Sequence, residues 1–185
     1  MGNRLLKWHL RVLHAAAFTV APAIAADAGE APFGFAWGPL SEVPRPLKVD
    51  REANLTALYY PRGWRPATGA GTAEVILVIC RTEGLQQVVW VGVPLSGDDL
   101  ARARRAIHDE GVRRYGEPEP GPTADTELWR DGQALLASRE TADGRRELVM
   151  TTFGPDYPAC SRTHRVEAGH PAGAHVAELI GTNLP

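Results

Sequence analysis

The sequence predicts an α+β fold: an antiparallel β-sheet with one main helix packed on one face, stapled by a single disulfide. Three observations carry this. Val75–Ile79 is an unbroken run of β-branched residues and leucine, and Arg81–Gly84 separates it from a second β-rich run, Leu85–Val93. Ser96–Tyr115 repeats apolar residues every three or four positions, the period of a helix with one buried stripe. Cys80 and Cys160 are the only cysteines in 185 residues. Two cysteines in one small exported domain pair more often than they stay free.

Export is itself read from the sequence. Arg4, Lys7 and Arg11 precede an apolar stretch from Val12 to Ala25, with no acidic residue before Asp27. The stretch ends in Ala23-Ile24-Ala25, the small-x-small pattern of a signal-peptidase site. Residues 1–25 are therefore expected to be a signal peptide. Its removal would leave 160 residues and shift the formal charge from −2 to −5, since three basic residues go and no acids. Eighteen arginines against two lysines, in a chain rich in alanine and glycine, suggest a bacterial source and hence the periplasm. The mature chain carries no apolar run of the roughly 20 residues that a membrane-spanning helix needs.

The rest follows in order. Residues 26–32 read as a flexible lead-in to one α+β domain over 33–164. Phe33–Gly38 alternates aromatic and small residues like a short strand, Pro39–Pro46 is a proline-rich loop, and Leu55–Tyr60 is β-rich. Pro61–Thr72 is a second loop. The first strand of the 73–93 hairpin is apolar on both faces, which places it centrally in the sheet. In the helix, Ser96 and Asp99 read as a capping box, and Leu100, Ala103, Ile107, Gly111 and Tyr115 form the buried stripe. Gly116, Pro118 and Pro120 stop it. Asp131-Gly132 and Asp143-Gly144 then divide three short strands at 127–130, 134–138 and 147–153 into hairpins. Residues 165–185 read as a loosely ordered C-terminal tail.

Composition and motifs narrow the function. Near-zero charge argues against a nucleic-acid partner, whose phosphates demand a basic surface. No P-loop, dinucleotide fingerprint or Gly-x-Ser-x-Gly occurs, and no catalytic constellation or cofactor motif is evident. The arginines of the helix (Arg102, Arg104, Arg105, Arg113, Arg114) read as a solvated face. Trp64, flanked by Arg62 and Arg65 on a proline- and glycine-rich loop, is a candidate partner contact; its alternative is a lid folded back over the core. His164, His170 and His175 follow Cys160 closely enough to suggest a metal site or a metal-assisted hydrolase. That reading competes with the disulfide for Cys160. The expectation is an exported binding or accessory protein whose partner is another envelope protein or a small ligand.

Overall fold

A computed structural model describes residues 29–64, 68–69, 71–121, 123–129 and 133–169. The expected signal peptide lies outside the described residues. The first described segment, Gly29–Gly38, pairs two short strands, β1 (Glu30–Ala31) and β2 (Phe35–Ala36), around a 3-10 turn at Pro32–Gly34. Two expectations are corrected here. Residues 29–32 are not a flexible lead-in, because Ala31 is buried in the core. Phe33–Gly38 is not a strand of the sheet: Phe33 adopts a left-handed conformation (φ 62°) that breaks extended pairing.

The chain then forms β3 (Lys48–Glu52), β4 (Leu55–Pro61), β5 (Thr72–Cys80) and β6 (Gly84–Gly92). The helix α1 (Gly97–Tyr115) follows. Strands β7 (Glu119–Pro120), β8 (Glu127–Trp129), β9 (Ala134–Glu140) and β10 (Arg146–Phe153) come next, and α2 (Tyr157–Ala168) ends the described chain. Eight strands make one antiparallel sheet in the order β3-β4-β5-β6-β10-β9-β8-β7. The two four-strand runs meet where β6 pairs β10, with Trp90 opposite Met150 and Val88 opposite Thr152. Both free edges are blunted: every residue of Lys-Val-Asp-Arg-Glu in β3 is exposed, and β7 is two residues ending in proline.

The pleat sorts side chains to two faces. On one face, the Gly29–Gly38 segment covers β4–β6 through Ala31, Phe35 and Trp37 over Leu58, Tyr60, Val75, Leu77 and Val88. On the same face, α1 lays its predicted stripe (Leu100, Ala103, Ile107, Tyr115) over Trp129, Leu136 and Leu148 of β8–β10. Gly111 is needed there, because a Cβ would stand 2.3 Å from the Trp129 ring. Ser96 does cap α1 by position, but its side chain makes no capping hydrogen bond. The expected capping box is not formed, and Asp99 pairs instead with Arg102 one turn on.

The opposite face is closed by α2. Cys160 packs there with Leu55, Ile76, Val78, Val89, Val91 and Val149 and is bonded to Cys80 at a Cα separation of 6.0 Å. The tail boundary expected at 164 is corrected: α2 runs to Ala168 and is stopped by Gly169 in the left-handed conformation. Pro158 lies in its first turn, where a missing N–H costs nothing. A bulge in β6 seats the helix. Gln86, fully buried, donates to the Glu83 carbonyl and accepts from the Asp156 N–H at the start of α2.

Candidate functional site

On the face shared by the Gly29–Gly38 segment and α1, a cleft of about 530 Å³ separates the two covers. Its floor is the seam of the sheet: Trp90 from β6, with Met150 and Thr152 from β10. One wall is Ala31–Gly34, and the other is Ala106, Ile107 and Gly111 of α1. The lining is apolar because a β-sheet face and a helix stripe, each built to be buried, are left uncovered between their covers. The Trp90 indole is pinned, its Nε1 donating to Thr72 Oγ1 at 2.8 Å, and that hydroxyl in turn donating to the Thr68 carbonyl.

Among the described residues, charge in the lining is confined to Glu30, Glu110 and Arg114 at the mouth. The hydrogen bond that Arg114 donates to the Glu110 carboxylate raises Arg114 above its ordinary value, with a smaller contribution from Glu30 across the opening. Burial pushes the Tyr115 phenol up, which keeps it neutral. At Glu30 and Tyr115 the cleft meets a second hollow of about 690 Å³, bounded by Trp37, Leu135, Phe153 and Tyr157. Phe33, whose left-handed backbone costs on the order of 1–2 kcal/mol in a residue with a Cβ, stands on the wall. Strain of this kind persists where the surroundings over-determine it.

A second, polar cluster lies on the far side of α1. Glu127 of β8 accepts from Arg104 Nη2 at 2.7 Å and lies 2.8 Å from His108 Nδ1. Partial burial pushes the Glu127 carboxyl up, but the hydrogen bonds from His108 and Arg104 outweigh it and hold it below its ordinary value. The arrangement ties α1 to the sheet. It also accounts for Arg104, while Arg113 and Arg114 pair with Glu110, so the basic face is largely neutralised within the chain.

The residues singled out from sequence are distributed as follows. The Trp64 ring stacks on Tyr60 at 3.9 Å and on Phe35 at 5.6 Å, between centroids, and is half-buried. Arg62 is exposed beside it, and Arg65 lies outside the described residues. His164 is buried within α2, its Nε2 4.0 Å from Glu52 Oε2. His170 and His175 lie outside the described residues. Cys80 and Cys160 are brought together as a disulfide. The sequence did not single out Trp90, Phe33, Met150 or Glu30 as site residues. No local signal marks them, since the cleft draws on five separate stretches of chain.

The chain matches no family model, no curated protein and no solved structure. Among the described residues no helix is long and apolar enough to cross a membrane. The disulfide points to an oxidising location outside the cytoplasm.

Proposed function

We propose that this protein is an exported, periplasmic binding protein whose seam cleft takes a small amphiphile. The apolar body would lie on Trp90 and Met150, and the polar end at Glu30, Glu110 and Arg114. The observation that carries the reading is the cleft itself: a volume of about 530 Å³ with an apolar floor and all its charges at the mouth. Ligand sites for small molecules have this size and this distribution of polarity. A rigid aromatic floor held by its own hydrogen bond also loses little freedom on binding.

Titration with the neutral dye N-phenyl-1-naphthylamine, followed by dye emission and tryptophan quenching, tests this. Ala106 is exposed on the helical wall, so Ala106→Trp fills the cleft without disturbing the core. The expected result is saturable binding to the wild type that falls at least tenfold in Ala106→Trp, with thermal stability unchanged. Equal dye binding by both proteins would remove the cleft as the site. Repeating the titration with an anionic naphthalenesulfonate dye, against Arg114→Gln, reports whether the mouth reads charge.

A further inference from the structure

The disulfide that closes the other face has unusual company. Cys80 Sγ, Cys160 Sγ and a carboxylate oxygen of Glu83 all lie within 4.8 Å of one another. Among the described residues, Glu83 Oε2 is shut off from solvent and has no hydrogen-bond partner. Asn54, 4% exposed, approaches from the β3–β4 turn: its Nδ2 donates to the Cys160 carbonyl at 3.2 Å and lies 4.0 Å from Cys160 Sγ. Its Oδ1 is likewise buried without a partner. Buried oxygens left unsatisfied are costly and call for an explanation. A disulfide cannot satisfy them, because it offers no proton.

We propose that reduction of Cys80–Cys160 converts this cluster into a cation site, with the two thiolates and Glu83 as ligands for Zn²⁺. The chemistry balances with a dithiol reductant. It delivers two electrons and two protons to the S–S bond and leaves as its own disulfide; the cation then displaces the two thiol protons. Two sulfurs and a carboxylate oxygen suit a borderline-soft, tetrahedral ion. In the oxidised protein the sulfurs are spent on each other, so the site exists in one redox state only.

Two features let the reduced protein keep the site. The Asn54 hydrogen bond and the Arg81–Glu167 ion pair (3.2 Å) hold α2 to the sheet independently of the sulfurs. Access runs through the β5–β6 hairpin tip, where Arg81 and Thr82 are exposed and Glu83 is the next residue inward. The inference does not depend on the cleft, which lies on the opposite face.

The test uses the full mature chain, reduced with a dithiol that is then removed anaerobically, and Co²⁺ as a spectroscopic stand-in for Zn²⁺. One equivalent of Co²⁺ should give thiolate-to-metal charge-transfer absorption that Zn²⁺ abolishes, while the oxidised protein gives none. Glu83→Gln should weaken binding at least tenfold. A His170→Ala/His175→Ala variant should bind as the wild type does, which separates this site from adventitious histidine binding. No charge-transfer band, an unchanged Glu83→Gln, or loss of binding in the double histidine variant would overturn the proposal. If reduction unfolds the chain, metal should restore the folded circular-dichroism spectrum, and Glu83→Gln should need at least tenfold more metal to do so. Failure to restore it counts against the site equally.

Discussion

The two faces of the sheet are closed by different means. Under α2, helix and strand are joined by a covalent bond, and the interface is Leu55, Val78, Val89, Val149 and the buried sulfurs. On the other face, two covers distant in sequence pack over opposite halves and leave Trp90 and Met150 between them. A staple allows a short helix of 12 residues with few apolar positions to dock. Where packing alone does the work, each cover must bring its own apolar stripe, and the boundary between stripes becomes a cleft. The stapled face therefore supplies stability, and the unstapled one supplies the candidate site.

The largest expected effect breaks the first half of that contrast. Replacing both cysteines, as Cys80→Ala/Cys160→Ala, should cost about 4–5 kcal/mol in the chain-entropy account of a closed loop this long. Equilibrium denaturation measures it, and hydrogen exchange should show α2 losing protection before α1. A loss below about 1 kcal/mol would mean that packing holds α2 and that the faces do not differ.

The next tests the unstapled face. A Cβ at Gly111 would overlap the Trp129 ring, which is fully buried in β8 and cannot move aside without shifting α1. Gly111→Ala should therefore destabilise by about 1–3 kcal/mol, as overpacked cores do, despite the better helix propensity of alanine. Because Gly111 lines the cleft, dye affinity should change with it. A stabilised Gly111→Ala would show that α1 sits more loosely than the contact implies.

The contrast also explains what the sequence could and could not show. The β5–β6 hairpin and the α1 stripe were legible because each signal is local: a run of β-branched residues, or apolar positions at helical spacing. Strand β3 was not, since an edge strand with all five residues exposed has no apolar face to betray it. Helix α2 was hidden for a related reason. Its buried positions are Cys160 and His164, and Pro158 reads as a breaker unless its place in the first turn is known. The cysteines could be paired from compartment and count, but that Glu83 and Asn54 crowd them depends on two turns meeting at one end of the sheet. Likewise the His108–Glu127 contact joins residues 19 apart in the chain and exists only once β8 lies beside α1.

That contact gives a pH-dependent effect of intermediate size. The folded Glu127 carboxyl is held below its ordinary value near 4.5, so its stabilisation is present above that value. It is lost as pH falls through the folded value. Glu127→Gln keeps the shape and removes the charge, and should cost about 1–2 kcal/mol at neutral pH. The two proteins should converge in acid, flattening the variant's stability curve below about pH 5. A constant difference down to pH 3 would assign the loss to packing rather than to charge.

The smallest effect sharpens the comparison from the stapled side. Ala53 sits at φ 47° in the β3–β4 turn that presents Asn54 to Cys160. A residue with a Cβ pays on the order of 1–2 kcal/mol there, whereas glycine pays nothing in the folded state but more in the unfolded one. Ala53→Gly should therefore gain up to about 1 kcal/mol. Its carbonyl, which accepts from Arg81 Nη2 at 2.9 Å, is kept, so the link between turn and hairpin survives. If the turn positions Asn54 only through this backbone, the gain should be the same in the oxidised protein and in the Cys80→Ala/Cys160→Ala variant. A gain confined to one of them would mean that the staple and the turn strain each other.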